Sequence, residues 1–214
     1  MTTQTAIKTQ PLVKGLLRPV LVSAGFFLLL TGLGYPLATT LVANVMFPYQ
    51  AQGSLIERDG LVIGSAVIGQ HFSRPEYFQG RPSMTADKPY NAGSSGASNL
   101  GPTSQKLIDQ VAQRAQDYRQ LNGLAPDALV PVDAVTASAS GLDPHISVAN
   151  AQLQVARVAR LRKVPEAELM KQVQAHTEQR TLGLLGEPRV NVLQLNLALD
   201  AQAPVHQQPL AASE

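Results

Sequence analysis

PVLVSAGFFLLLTGLGYPLATTLVANVMF, Pro19 to Phe47, holds no Asp, Glu, Lys, Arg or His over 29 consecutive positions, and the next charge in the chain is Glu57. About 20 apolar residues suffice to cross a hydrocarbon core. The stretch therefore predicts a transmembrane helix over 19–41, kinked or loosened near Pro36, whose ring removes an amide donor. Soluble core helices rarely run this long without a charge. A cleaved signal peptide is the stronger rival, but its apolar region spans only about 7 to 15 residues before a small-x-small site. Here the nearest candidate, Leu41-Val42-Ala43, puts a bulky Leu at the outer small position. The segment reads as a retained anchor.

The flanks orient it. Lys8, Lys14 and Arg18 precede the segment with no acid among them, and positive residues stay on the cytoplasmic side. This predicts a cytoplasmic basic N-terminus over 1–18, a single pass through the inner membrane, and a periplasmic domain over 48–200, with a disordered polar tail over 201–214. Without those three bases, 14 of the 17 Lys+Arg remain against 15 Asp+Glu, so the outer domain is close to neutral and the pI of about 9.0 comes from the anchor's flank. Within the anchor, Gly34 with Ala38 and Thr39 with Ala43 form small-xxx-small pairs of the kind that lets a second helix approach.

Composition excludes several activities. With no Cys there are no disulfides, thiolate metal sites or cysteine nucleophile, and with no Trp and only ten aromatics there is little to stack on bases, so no nucleic-acid partner is expected.

The outer part reads as one mixed α+β domain. Ser54 to Gly69 predicts a β-hairpin turning at Asp59-Gly60. Residues 73–103, rich in Pro, Gly, Ser and Asn, predict a long loop. A helix over 104–121 carries Leu107, Ile108, Val111, Ala115 and Tyr118 on one face, most simply as core packing, and stops at Asn122-Gly123. Leu129 to Ala139 reads as short-strand material broken by Pro131. Ser147 caps a helix through Arg162, and a third runs from Pro165 to His176–Glu178. Val190 to Leu199, VNVLQLNLAL, alternates in the strand manner and predicts a strand that closes the sheet.

No catalytic constellation is complete. Around Ser95 the frame Gly93-Ser94-Ser95-Gly96-Ala97 lacks the second glycine of a nucleophile elbow. His71, His145, His176 and His206 are single, without metal-ligand spacing, and no metal is expected. Gly96 and Gly101, followed by Pro102 and Thr103, have P-loop glycine spacing, but Pro102 stands where Lys must be. SSGASNLGPT, Ser94 to Thr103, nevertheless leads into a helix, where backbone amides can hold an anion. Its candidate binding residues are Ser95, Gly96, Ser98, Asn99, Gly101 and Thr103. The alternative is a packed structural loop whose side chains satisfy the backbone. Asp143 and His145 form a weak acid/base pair within an Asp-Pro turn. With a loop serine they would make a membrane-anchored periplasmic hydrolase.

FQGRPS (Phe78 to Ser83), SSGASNLGPT, VPVDAVTASASGLDPHIS (Val130 to Ser147), ARVAR (Ala156 to Arg160), HTE (His176 to Glu178) and GEPRVNVLQLNLAL (Gly186 to Leu199), in this order behind a single anchor, resemble the C subunit of the bacterial Kdp potassium-transporting P-type ATPase. The resemblance runs from Leu16 to Leu199. It marks Gly80, Arg81, Pro82, Asp143, Pro144, His145, Glu187, Pro188 and Arg189 as family-motif positions. It implies an accessory, non-catalytic subunit of a potassium import complex, with a channel-like potassium-binding subunit, a P-type ATP-hydrolysing subunit and a small single-helix subunit as partners. It further implies a role in raising ATP affinity, with the Ser94–Thr103 loop as the place to seek ATP. Ala97 departs from the glycine expected there, which removes φ > 0 freedom, and the orientation of the anchor puts the loop on the side away from cytoplasmic ATP.

Overall fold

The structure, a computed structural model, describes residues 12–202. Lys8 of the basic N-terminus and residues 203–214 of the expected tail lie outside the described residues. Helical backbone extends past both ends of the 19–41 span: α1 (Leu12–Leu29) leads through a π-helical turn (Leu30–Gly34) into α2 (Tyr35–Met46), followed by the single turn α3 (Pro48–Ala51). Pro19 lies inside α1. The helix is loosened just before Pro36, where the Tyr35 N–H donates to the Leu30 carbonyl. That wider turn falls where a proline ring would otherwise press on a carbonyl one turn back. Thr31 and Thr39 donate their hydroxyls to Phe27 and Tyr35 carbonyls, at 2.6 and 2.9 Å, so the polar side chains are satisfied within the helix. Gly15–Met46 is long and apolar enough to cross a membrane. Gly34, Ala38 and Thr39 lie exposed along it, and Ala43 is half-buried.

The chain forms two compact units that divide between Ser54 and Leu55. The second begins with the expected hairpin, β1 (Leu55–Arg58) paired antiparallel with β2 (Leu61–Ser65). Asp59 and Gly60 both take positive φ, 53° and 76°, as a tight hairpin turn with the twist of its strands requires. From Ala66 to Ser104 the chain is loop and turn. Helix α4 (Gln105–Asn122) ends where Gly123 adopts φ 65°. Its apolar stripe is peripheral, contrary to the core packing expected: Leu107, Val111, Ala115 and Tyr118 are half-buried and Ile108 is 50% exposed.

The remaining elements are α5 (Val132–Val135), β3 (His145–Ser147), α6 (Val148–Arg162), α7 (Glu166–Ala175), β4 (Thr177–Glu178), β5 (Arg189–Asn191) and α8 (Val192–Gln202). Two sequence expectations are corrected here. Residues 129–139 hold the helical turn α5, because Pro131 presets φ at −59° and its carbonyl accepts the Ala134 N–H. The strand expected over 190–199 stops at Asn191, and the rest is α8. The Asn191 side chain accepts the Gln194 N–H at 3.1 Å, which starts the helix. Val192, Leu195, Asn196 and Leu199 then recur at helical spacing and are all buried.

The second sheet has the order β3-β5-β4, all antiparallel, with Ile146 and Thr177 flanking Val190. Ala151, Val155, Val158 and Ala159 of α6 pack with Leu169 and Val173 of α7, Leu195 and Leu199 of α8, Ile146, Val190 and Phe78 into one core. Each large side chain buried there contributes roughly 1.5–3 kcal/mol. Phe78 is the loop's own contribution and is fully buried.

Candidate functional site

A loop can enter a core only if its backbone groups find partners. Helix α6 provides them along one face, where Asn150, Gln154 and Arg157 follow each other at helical spacing and are all buried. Gln154 accepts the Gln79 N–H (2.8 Å) and donates to the Gln79 carbonyl (3.1 Å). Arg157 donates to the Tyr77 carbonyl (3.0 Å), the Pro75 carbonyl, Asn122 Oδ1 (2.9 Å) and Gln154 Oε1 (2.7 Å). Burial pulls the Arg157 guanidinium down to about 10, against opposing influences from Tyr118 and Glu76. From α8, Asn196 clamps the Phe78 backbone. Residues 75–79 are thereby threaded between α6 and α8, and Arg81 follows directly.

The two small-residue runs pack on each other. The Gly96 N–H and the Ser95 hydroxyl both donate to the Ser140 carbonyl at 2.9 Å, and Ser83 Oγ donates to the Gly141 carbonyl at 2.7 Å. Gly141 has φ 68°, and a Cβ there would lie 2.9 Å from the Gly96 carbonyl oxygen and 2.7 Å from Thr85 Cγ2, so only glycine fits. Of the other candidate anion residues, Ser98 is half-buried, while Asn99 (φ 51°), Gly101 and Thr103 are exposed. Ser104 caps α4 without a side-chain hydrogen bond. Tyr90 wedges the same loop: its hydroxyl donates to the Arg81 carbonyl (2.8 Å), and Cβ atoms on Gly69 or Gly80 would collide with its ring or hydroxyl. Burial, reinforced by the Asp143 charge and opposed by Arg81, pushes the Tyr90 phenol up to about 12.

Beside these runs lies a cluster of charges. Asp143 Oδ1 accepts the His145 backbone N–H at 3.0 Å, the side-chain-to-backbone turn favoured at Asp-Pro. The Pro144 carbonyl accepts the Val192 N–H, which ties the turn to α8. Arg81 Nη1 pairs with Asp143 Oδ2 at 3.2 Å. His145 faces Asp143 through Nδ1 (3.3 Å) and Glu178 through Nε2 (3.6 Å), and Glu178 pairs in turn with Arg189 (2.9 Å). Burial on its own would raise the Asp143 carboxyl, but hydrogen bonds from His145 and the charges of Arg81 and His145 outweigh it and hold the group below the usual carboxylate range.

The structure thus gathers Arg81, Asp143, His145, Glu187, Pro188 and Arg189 around one cavity of about 290 Å³, joined by Asp133 and Ser147. Gly80 and Pro82 face a larger cavity of about 760 Å³ between α4 and the loop. Both ring nitrogens of His145 face carboxylates, and Ser95 is bonded to Ser140, so the hydrolase arrangement lacks a serine on His145. Among the described residues no cluster of three or more His, Asp or Glu is placed to hold a metal ion. The candidate residues did not include Glu178, Tyr90, Gln154, Arg157 or Asn196. A polar stripe at helical spacing in α6 was the available signal.

A family model described as "K+-transporting ATPase, c chain" (KdpC) matches residues 17–201. The potassium-transporting ATPase KdpC subunit of Rhodopseudomonas palustris is 55% identical, covering 87% of this chain and 97% of the relative. The subunits of that name from Burkholderia mallei and Burkholderia pseudomallei are each 54% identical, covering 90% of this chain and all of theirs. With a family match and relatives above half identity that both span nearly its whole length, the chain belongs to the KdpC family of K+-transporting ATPase c chains.

Proposed function

We propose that the protein is the accessory, non-catalytic subunit of an ATP-driven potassium import complex, which it assembles and stabilises. Family membership over residues 17–201 is the observation that carries this reading. The apolar helix anchors it in the inner membrane with the N-terminus in the cytoplasm, and the charge bias of the flanks supports a periplasmic position for the domain. Its partners are the channel-like potassium-binding subunit, the ATP-hydrolysing subunit and the small single-helix subunit. The exposed Gly34, Ala38 and Thr39 and half-buried Ala43 offer a close-packing surface to a neighbouring helix.

The loop Ser94–Thr103 acts as packing for the 138–141 run. The Gly96 amide and Ser95 hydroxyl, the donors a phosphate would need, are engaged with Ser140, which favours this role over that of an ATP cradle. Deleting the gene while expressing the other subunits tests the proposal: the complex is expected to lose yield and potassium-dependent ATPase activity. An intact, active complex without this chain would overturn it. Reporter fusions after residue 60 test the orientation, with a periplasm-active reporter expected to work and a cytoplasm-active one expected to fail.

A further inference from the structure

Among the described residues the methionines are Met46, Met84 and Met170. Met46 belongs to the long apolar helix, and Met170 of α7 packs against the core. Met84 instead sits half-buried in the loop, where Arg114 Nη2 of α4 approaches its sulfur at 3.5 Å. A thioether is a weak acceptor, so this bond satisfies the guanidinium poorly. The other contact of Arg114 is no stronger than neutral: Nη1 donates to the Val135 carbonyl at 3.1 Å. Although half-buried, Arg114 pairs with no carboxylate among the described residues.

The residues on either side hold Met84 at this joint. Ser83 Oγ donates to the Gly141 carbonyl (2.7 Å) and accepts the Tyr90 N–H (2.9 Å). Thr85 Oγ1 donates to the Lys88 carbonyl (2.7 Å) and accepts the Asn91 N–H (3.1 Å). The backbone is thus pinned before and after Met84, while the unbranched side chain keeps its adaptability. Ser83 and Arg114 both line the cavity of about 760 Å³, so the joint stands at the wall of a space that small solutes enter. Oxidation of a methionine ordinarily puts a polar oxygen into apolar packing and disrupts it. Here the sulfur already faces a cation that lacks a good acceptor. An oxygen added to that sulfur is strongly dipolar and receives a charge-assisted hydrogen bond that the thioether cannot match.

We propose that Met84 is a reversible oxidation site whose sulfoxide is captured by Arg114, so that a peroxide fastens the loop to α4. In the step, a sulfur lone pair attacks one oxygen of hydrogen peroxide, the O–O bond breaks, an S–O bond forms and water leaves. Sulfur is oxidised by two electrons and the peroxide is reduced by the same two. Methionine sulfoxide reductase returns the thioether and releases the loop.

The test treats the full chain in detergent with hydrogen peroxide and follows it by peptide mass mapping and amide hydrogen exchange. Met84 is expected to gain oxygen roughly fivefold faster than Met170. Amides of residues 84–96 are then expected to exchange about threefold more slowly in the oxidised chain, and reductase treatment to restore the original rate. Arg114→Gln is expected to take up the oxygen without the slowing, and Met84→Leu, treated alike, to show no slowing. Should Arg114→Gln fail to fold, the wild-type chain and Met84→Leu decide the matter between them. Oxidation of Met84 no faster than that of Met170, unchanged or faster exchange in the oxidised loop, or the same slowing in either variant would overturn the proposal.

Discussion

Asn196 brackets the backbone of Phe78: its Oδ1 accepts the Phe78 N–H and its Nδ2 donates to the Phe78 carbonyl, both at 2.9 Å. One amide thus stands in for a neighbouring strand and lets a loop carry an aromatic ring into the core. Asn196→Leu leaves two buried backbone groups unpaired and is expected to cost about 2–5 kcal/mol. Urea unfolding of the full chain in detergent, followed by near-UV tyrosine signal, checks this; a loss below that of Leu197→Ala, whose side chain is only half-buried, would contradict the helical register of α8.

Arg157 is a buried cation whose donors are taken up by carbonyl and amide oxygens. Arg157→Lys keeps the charge but loses the planar fork that reaches Asn122, Gln154 and residues 75–77 at once, so it is expected to destabilise by about 2–4 kcal/mol. The same unfolding measurement decides it, and a near-neutral result would show that the fork is dispensable.

Asp143 has a folded pKa below its unfolded value. Its contribution is present at neutral pH and above the ordinary carboxylate range, and is lost as pH falls from about 3.8 through the folded value. Asp143→Asn is therefore expected to lower stability at pH 7 while making it less sensitive to pH as the pH falls below about 3.8. Parallel slopes for the two proteins in acid unfolding would count against the Arg81–Asp143–His145 linkage.

Tyr90 behaves in the opposite direction. Its raised folded pKa makes the neutral phenol's contribution complete below pH 10, and that contribution fades as pH rises toward 12. With no Trp and five Tyr in the chain, phenolate absorbance reads this directly. Tyr90→Phe is expected to remove the step near pH 12 and flatten the alkaline loss of stability.

Gly80→Ala drives a Cβ to 2.5 Å from the Tyr90 hydroxyl. It is expected to cost about 1–3 kcal/mol and to raise protease cleavage between residues 83 and 96. Gly101→Ala, with open space around its Cβ, is expected to be close to neutral.

Much of the architecture was legible because the signals were local. The charge-free run marked the long apolar helix, Asp59-Gly60 the hairpin, Gly123 the end of α4 and Ser147 the start of α6. The reading of 190–199 failed because leucine at every second position satisfies a strand period while Val192, Leu195, Asn196 and Leu199 satisfy a helical one. The Asn191 cap and the core space around Asn196 chose between them. The charge cluster was half legible: Asp143 and His145 adjoin in sequence, but Arg81, Glu178 and Arg189 reach them only through the loop threading and the β3-β5-β4 order.

By itself the sequence determined the long apolar helix, the principal turns and caps, and the family. Each depends on backbone propensity or on hydrophobicity within a short window. Only the tertiary structure decided that Phe78 enters the core, that the two small-residue runs spend their donors on each other, and that the Met84 sulfur meets Arg114. Burial and hydrogen-bond pairing depend on distant partners, such as Asn196 for Phe78 and Ser140 for Gly96, and a linear pattern carries no distances.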